Sequence, residues 1–460
     1  MNKYFPDLTS RQSVHVIGVG GAGMGAIAEV LLAMGHKVSG SDIKDSPRLD
    51  RLRAFGVKVS IGHAPENINE VDFIVRSSAI SDSNIECQYA FQKNIDLLSR
   101  EKILGGISRL KNTIAVSGTH GKTTTASMLS LMLREASFKP SFIIGGDVNE
   151  IGTGATWDEG QLFVVEADES DGSFLGLDRK LALVTNIEED HLEFHGGFEG
   201  LFEVFLRFAR ETDGPVLLGI DDLNSFRLSK EIETVTVGTH LDADWHIEVL
   251  DESWAGSSFR ILNGSKEFNL SLSVPGLHNI RNAAIASVAA LELEAPIDSI
   301  QSSLKSFGGV ARRFERQGKV NGITFVDDYA HLPSEVVNTL RAARSANCNR
   351  LVAVFQPHRY SRTESLGASF GPSFEGADLV VVTDIFPGGE NMRPGISGLI
   401  VADAIELNSA DIEVRYMPRR EELLEFLISE LSEGDLCLTM GAGDIASLID
   451  EIKVRLLEEE

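Results

Sequence analysis

Short apolar runs of four or five residues alternate along the chain with longer segments whose apolar residues recur at helical spacing. Val14–Ile17 reads as a first strand. A glycine-rich turn and a helical pattern over Met24–Met34 follow it, then strands at Lys37–Ser41 and Phe73–Ser77. A second start occurs at Thr113–Ser117, a strand that feeds another glycine-bearing loop and a helix over about Thr123–Ala136. Phe163–Glu166 and Ala182–Asn186 read as further strands beside it. From about Asp242 to Leu272 the pattern alternates with few helical signals, so a β-rich excursion is expected before an alanine-rich helix over Asn279–Leu293. A third start, at Ile323–Asp327, leads to a helix over Ser334–Ala343 and buried strands at Leu351–Phe355, Leu379–Thr383 and Leu436–Met440.

Strands separated by helices, three times over, predict parallel α/β modules. The length of 460 residues exceeds what one core supports. We place the modules at residues 1–111, 112–314 and 315–460.

Composition narrows the partners. The hydrophobic fraction of 43% and charged fraction of 24% are ordinary for a globular protein. A net charge of −26 argues against a general nucleic-acid binder, which needs a basic surface to displace phosphate counterions. It leaves nucleotide binding open, because backbone amides and a few cations can hold a phosphate inside an acidic protein. Cys87, Cys348 and Cys437 are too few and too scattered for a disulfide framework or a zinc site. No apolar run approaches a membrane span of about 20 residues, and the N-terminus has no apolar signal core. The expectation is a cytoplasmic protein with neither membrane nor nucleic acid as partner, a monomer or homodimer.

Two loops carry the chemistry. Gly18-Val19-Gly20-Gly21-Ala22-Gly23 fits the G-x-G-x-x-G pattern between a strand and a helix, and Asp42 ends the next strand. Glycines there let the backbone approach a pyrophosphate, and an acid in that place can hold a ribose hydroxyl. By itself the motif implies a nucleotide diphosphate, an NAD or FAD included. Gly118-Thr119-His120-Gly121-Lys122-Thr123-Thr124 is the more decisive. Loop amides can cradle phosphates, Lys122 offers a point charge to the β- and γ-phosphates, and the Thr123 hydroxyl can ligate Mg²⁺. The usual glycine six positions before the lysine is replaced by Val116, so this loop is the shorter kind. Two acidic clusters, Glu166–Asp171 and Asn186–His191, follow strands of the same module, where Mg²⁺ ligands belong. For each of Asp168, Glu169, Asp171, Glu188 and Glu189 taken singly, a solvated loop position is the expectation, and by composition His191 reads as a loop histidine.

Taken in order, HVIGVGGAGM (His15–Met24), SGSD (Ser39–Asp42), GTHGKTTT (Gly118–Thr125), EADESDGSF (Glu166–Phe174), TNIEEDH (Thr185–His191), HNIRN (His278–Asn282), RRFE (Arg312–Glu315), DDYAHLP (Asp327–Pro333), FQPHRYSRT (Phe355–Thr363) and GAGD (Gly441–Asp444) resemble the Mur ligases of bacterial peptidoglycan synthesis, and most of all their alanine-adding branch. The resemblance covers nearly the whole chain. It implies a Rossmann-like N-terminal domain, a central P-loop ATPase-like parallel-sheet domain and a C-terminal Rossmann-like α/β domain. It implies that Gly18, Gly20, Gly21, Gly23, Ser41, Asp42, Ser78, Ala79 and Ile80 hold UDP-N-acetylmuramate and not NAD. Gly118–Thr124 would hold ATP, with Lys122 on the γ-phosphate. Thr123 and Glu166 would ligate one magnesium ion and His191 a second. His278, Asn279 and Asn282 would face the adenine, and Arg313 and Asp328 would reach the nucleotide. Tyr329, His331, His358, Arg359 and Arg362 would surround the carboxylates and the acyl phosphate, with L-alanine the acceptor. The implied reaction closes the third domain onto the others, with a hinge near residues 313–318.

This chain departs from the family in places. Leu332 stands where many members carry a second histidine. Branches that add later residues carry a modified lysine after the Asp-His pair, yet no lysine occurs between Lys180 and Lys230. The competing readings are the family's tripeptide-recycling ligase, an NAD-dependent oxidoreductase built on the first loop, and a P-loop switch without chemistry. The oxidoreductase leaves Gly118–Thr125 and Glu166 without a purpose. The switch leaves His331, His358, Arg359 and Arg362 unexplained.

Overall fold

The computed structural model describes residues 5–77, 79–190, 192–409 and 411–458. The chain packs as two compact units. The first comprises the described residues up to Glu248 with Phe259–Ser271 and Arg281–Phe307; the second comprises Val249–Ser258, Leu272–Ile280 and the described residues from Gly308 onward.

The first unit opens with five strands: β1 (Ser13–Ile17), β2 (Lys37–Asp42), β3 (Lys58–Ile61), β4 (Phe73–Arg76) and β5 (Asp96–Ser99). They form an all-parallel sheet in the order β3-β2-β1-β4-β5. Helices α1 (Ala22–Ala33), α2 (Pro47–Phe55) and α3 (Ile85–Lys93) connect β1 to β2, β2 to β3 and β4 to β5, and α4 (Arg100–Ser108) follows β5. Between β1 and β4 the chain reverses its direction of travel across the sheet, and loops leaving those two strands open a crevice.

The second sheet of ten strands begins with β6 (Asn112–Ser117), which feeds α5 (Lys122–Glu135). It continues with the antiparallel hairpin β7 (Ser141–Val148) and β8 (Thr153–Thr156), then β9 (Leu162–Glu166), β10 (Leu181–Val184), β11 (Val216–Gly219) and β12 (Val235–Gly238). The expected β-rich excursion is β13 (Trp245–Ser253), β14 (Gly256–Asn263) and β15 (Lys266–Leu272). The strand order is β15-β14-β13-β12-β11-β10-β6-β9-β7-β8. Parallel neighbours β9 and β10 sandwich β6, whose Ile114, Ala115 and Val116 are buried. A strand buried this way reads as an unbroken apolar run.

One apolar core runs under both sheets of this unit, from Val14, Val16 and Ile27 to Val165, Phe174 and Phe205. The helix Phe198–Arg210 presents Phe202, Phe205 and Phe208 to it, and Phe174 stacks on Phe208 at 4.5 Å. Arg179 is buried beside them. Its guanidinium donates to the carbonyls of Phe174, Leu175, Leu177 and Phe208, which fixes the chain entering β10.

The second unit holds a six-stranded sheet: β16 (Glu315–Val320), β17 (Ile323–Asp328), β18 (Arg350–Phe355), β19 (Leu379–Val382), β20 (Glu413–Tyr416) and β21 (Asp435–Met440), in the order β16-β17-β21-β18-β19-β20. Only β16 runs antiparallel to its neighbour. Among the described residues no helix is long and apolar enough to cross a membrane. The expected three-domain α/β architecture with parallel sheets is the one observed. The sequence pattern did not single out the β7–β8 hairpin or the Phe198–Arg210 helix.

A buried charge ties the first sheet together. Glu86 on α3 is fully buried and accepts from the Ser41 hydroxyl at 2.5 Å, Asn67 Nδ2 at 2.7 Å and the Ala64 amide at 3.2 Å, while His15 Nε2 lies 3.6 Å away. Burial alone would raise its pKa. The nearby His15 ring and the hydrogen bonds from Ser41 and Asn67 win, and the carboxyl is pulled down to about 2. A depressed carboxyl stabilises the fold above its unfolded value near 4.5, and that stabilisation is lost as pH falls towards 2. Glu86→Gln should therefore flatten the acid limb of a chemical-denaturation series between pH 5 and 2, removing about 3 kcal/mol of pH-dependent stability. An acid limb unchanged from the parent would refute this.

Candidate active site

The first glycine loop leaves β1 braced against the end of β2. The amides of Gly18 and Val19 donate to the Ser41 carbonyl at 2.8 and 3.1 Å, and Gly20 donates to Asp42 Oδ2 at 2.9 Å. Asp42 also accepts the Ile43 amide through Oδ1 at 2.8 Å, so in this conformation it braces the loop. Ile80, from the loop after β4, packs across from Gly18, and Ala79 donates to the Ser77 hydroxyl at 3.3 Å. Gly18, Gly20, Gly21, Gly23, Asp42, Ala79 and Ile80 thus gather at the carboxyl end of the sheet, whereas Ser41, expected beside them, is buried with its hydroxyl on Glu86; Ser78 lies outside the described residues.

The second loop is held by the segment after β10. Thr119 donates its amide to the Asn186 carbonyl at 3.1 Å, and His120 donates to Asn186 Oδ1 at 2.9 Å. The Glu188 amide donates to Thr119 Oγ1 at 2.8 Å, and the His120 ring meets the Glu188 carboxylate at 3.3 Å. Gly118 has φ +128° and Gly121 φ +78°, and a Cβ on Gly121 would run into the Asn282 carboxamide. Lys122 begins α5 and points back under the loop. Its ammonium donates to the Gly118 carbonyl at 2.6 Å, the Thr119 carbonyl at 3.2 Å and both Glu169 oxygens at 2.8 and 3.0 Å. Thr123 donates its hydroxyl to Glu166 at 3.0 and 3.1 Å, and the Gly145 amide donates to the same carboxylate at 2.7 Å. Thr124 is buried. His191 lies outside the described residues.

One expectation from the sequence needs correcting. Glu169 is no solvated acid: its side chain is 2% exposed. The short helix Leu192–His195 meets its main chain, His195 placing a ring nitrogen 2.9 Å from its carbonyl. Burial pushes its pKa up to about 7, while Lys122 pulls the other way. Asp168, by contrast, is partly exposed and reaches Arg100 of α4 at 3.8 Å.

A cavity of about 300 Å³ lies between helices α1 and α2 and the β7–β8 hairpin. It is lined by Ala22 and Glu29 of α1, Arg48 and Arg51 of α2, and Gly145 and Asp147 of the β7–β8 hairpin. One end touches the first glycine loop, and the other reaches the residue whose amide grips Glu166.

His278, Asn279 and Asn282 begin the helix Leu277–Glu292. Asn282 stands against Gly121, and Asn279 caps its own turn by donating to the Pro275 carbonyl at 2.7 Å.

In the second unit the segment before β16 and the loops after β17 and β18 gather the remaining expected residues. The Arg312 and Arg313 guanidiniums lie 5.0 and 4.8 Å from the centre of the Tyr329 ring. His331 sits 5.4 Å from Tyr329 and 5.6 Å from His358, ring centre to ring centre. Arg362 reaches His358 Nδ1 at 2.9 Å. Asp328 accepts from the amides of Phe314 and Ala330 and from the Thr339 hydroxyl, and burial lifts its pKa to about 6. Leu332 is buried. Two residues here escaped the sequence reading. Phe386 stacks on His358 at 5.9 Å and accepts the Arg359 amide through its carbonyl, and Glu390 accepts the Ser361 amide. Both come from the loop after β19, and only the sheet order brings them there.

The chain resembles known proteins along its full length. The profile described as Mur ligase family, catalytic domain matches residues 13–112, that of the Mur ligase middle domain residues 116–290, and that of the Mur ligase, glutamate ligase domain residues 312–443. The UDP-N-acetylmuramate–L-alanine ligase of Desulforamulus reducens is 43% identical over 456 residues, 97% of this chain and 98% of that protein. Among solved structures, the UDP-N-acetylmuramate-alanine ligase from Thermotoga maritima superposes with a TM-score of 0.84 at 28% identity, covering 98% of this chain and 100% of that one. A murein peptide ligase from Psychrobacter arcticus shares the fold with a TM-score of 0.71 at 22% identity, over 97% and 98% of the two chains.

Gly121→Ala should lose nucleotide affinity at least 10-fold, through left-handed backbone strain and the clash with Asn282. Calorimetric titration with Mg·ADP measures this. Sugar-nucleotide binding serves as the control and should stay within twofold.

Proposed function

The chain belongs to the Mur ligase family, and on that premise we propose that it joins L-alanine to the lactyl carboxylate of UDP-N-acetylmuramate at the expense of ATP. The products are UDP-N-acetylmuramoyl-L-alanine, ADP and phosphate, and the place of the reaction is peptidoglycan synthesis. The observation that carries this reading is the cavity running from Ala22 to Gly145. A sugar nucleotide whose diphosphate sits on the first glycine loop has a path along it towards Glu166, beside Lys122's loop.

The roles follow from chemistry. A carboxylate acylates poorly because oxide is its leaving group. One of its oxygens attacks the γ-phosphorus of ATP, the bond to the β-phosphate oxygen breaks, and ADP leaves. The alanine amine, as the free base, then attacks the acyl carbon. The carbon–oxygen bond to phosphate breaks, and the amine gives up its proton. Phosphoryl transfer asks a protein mainly for positioning and neutralisation of charge. Lys122 supplies a cation at the γ-phosphate, and amides of Gly118–Thr124 cradle the phosphates.

The residues present fit a magnesium ion. Thr123 and Glu166 already face each other at 3.0 Å, and Mg²⁺ commonly takes one or two protein oxygens with phosphate and water completing its shell. When bound, it neutralises phosphate charge. His191 is the candidate for holding a second ion. His278, Asn279 and Asn282 suit the adenine, with Arg313 and Asp328 toward the nucleotide. In the second unit Tyr329, His331, His358, Arg359 and Arg362 form a cationic, histidine-rich surface suited to carboxylates and an acyl phosphate. Module boundaries at 111/112 and 314/315 accord with this division of labour, and a cytoplasmic monomer or homodimer is the state we assign.

The murein tripeptide-recycling activity is the alternative within the family, and substrate choice separates the two. With ATP, Mg²⁺ and UDP-N-acetylmuramate, phosphate release should depend on L-alanine in preference to glycine, L-serine or the tripeptide. Release with the tripeptide alone would overturn the alanine reading. Lys122→Ala should cut the rate by about 10³-fold or more while UDP-N-acetylmuramate still binds; loss of both would contradict the assignment of the two nucleotides to separate loops.

A further inference from the structure

Lys122 is fully engaged by oxygens of the protein itself. An ammonium has three donors, and four oxygens surround this one at 2.6–3.2 Å: the Gly118 and Thr119 carbonyls and both carboxylate oxygens of Glu169. The pair is sequestered, with the lysine side chain 14% and the glutamate 2% exposed. Glu169 is also anchored through its main chain. Its carbonyl accepts from the Gly172 amide at 3.1 Å and lies 2.9 Å from the His195 ring.

The neighbouring acids are occupied elsewhere. Glu166 is bound to Thr123 and Gly145, and Asp168 faces Arg100. Among the described residues, then, Glu169 is the carboxylate at hydrogen-bond distance from the ammonium. An incoming phosphate must take at least one donor from these four oxygens, two of which belong to Glu169. Separating a buried ion pair is costly, and the exchange leaves the glutamate beside a polyanion. A carboxyl that burial has already lifted to about 7 takes up a proton readily once the cation moves away, which limits that cost.

We propose that Glu169 is a displaceable counter-ion that competes with the terminal phosphates of the nucleotide for Lys122 and so lowers the affinity of the site for nucleotide. Glu169 is a positioning residue acting through Lys122. The proposal rests on the reading of Gly118–Thr124 as an ATP site.

The test is a double-mutant cycle on the full chain, read by calorimetric titration with Mg·ADP and with a non-hydrolysable Mg·ATP analogue. Glu169→Gln should bind both about 10-fold more tightly than the parent, and its KM for ATP should fall. In a Lys122→Met background the same substitution should change affinity less than twofold, because the object of competition is gone. Unchanged or weaker binding by Glu169→Gln would overturn the proposal. So would an equal gain in the Lys122→Met background, which would mean simple removal of negative charge near the phosphates. Should Glu169→Gln fail to fold by circular dichroism, Glu169→Asp keeps the charge but shortens its reach; a gain of a few fold is then expected, and no gain overturns the proposal. If the parent chain binds no nucleotide, the ligase reading falls and this proposal with it. If the parent binds and the variants show no gain, this proposal alone falls.

Discussion

The burial of β6 between β9 and β10 is the constraint on which the nucleotide chemistry of this protein depends. Ile114, Ala115 and Val116 have no solvent face, so the strand must end abruptly where its backbone first meets water. Parallel register then brings out three loops side by side: Gly118–Gly121 after β6, Glu166–Asp171 after β9 and Thr185–Asp190 after β10. Lys122, Thr123, Glu166, Glu169, Asn186 and Glu188 are near one another for that reason, although they span nearly seventy positions of sequence. The loop's shape is maintained by Asn186, which clasps His120 from both sides: its side-chain oxygen accepts the His120 amide and its Nδ2 donates to the His120 carbonyl.

The electrostatics follow the same geometry. An overall charge of −26 would repel a nucleotide at long range, so binding is a local matter of a few cations and oriented amides. The acids around the loop are graded by environment. Glu166 is tied to a hydroxyl and an amide, Asp168 looks out towards Arg100 on the first sheet's α4, and Glu169 is enclosed with Lys122. Arg100 lies against Gly23 at the start of α1, so one cation touches both the first glycine loop and the acidic loop after β9. The common core beneath the two sheets makes that link rigid.

The second unit stores its constraint in the backbone. Arg312, Phe314 and Arg359 all adopt positive φ, at 62°, 48° and 68°, a conformation that costs a side-chain-bearing residue about 1–3 kcal/mol. Each is held by specific bonds. The Arg312 amide donates to Glu315 and its guanidinium to the Gly441 carbonyl, the Phe314 amide donates to Asp328, and the Arg359 amide donates to the Phe386 carbonyl. These bonds aim Arg313, Tyr329 and His358 from three different loops onto one surface. Strain of this kind marks a surface shaped for a ligand more than for stability.

The sequence by itself determined the periodic features. Apolar runs fixed the strands to within a residue or two, as at Thr113–Ser117 against Asn112–Ser117 and Ile323–Asp327 against Ile323–Asp328. Glycine spacing located both strand-to-helix loops, and the ordered motifs pointed to the Mur ligases, because those signals are local: a strand, a turn and a helix start are written within ten residues. Tertiary structure alone decided the environments. Nothing adjacent in sequence distinguishes Glu169, which is enclosed against Lys122, from Asp168, which faces outward, because the difference is made by a lysine 47 positions away and by the His195 ring on its carbonyl. Glu86, Asn186, Phe386 and Glu390 were illegible for the same reason: a side chain's burial and partners are set by which strands become neighbours, and that order is a property of the folded sheet.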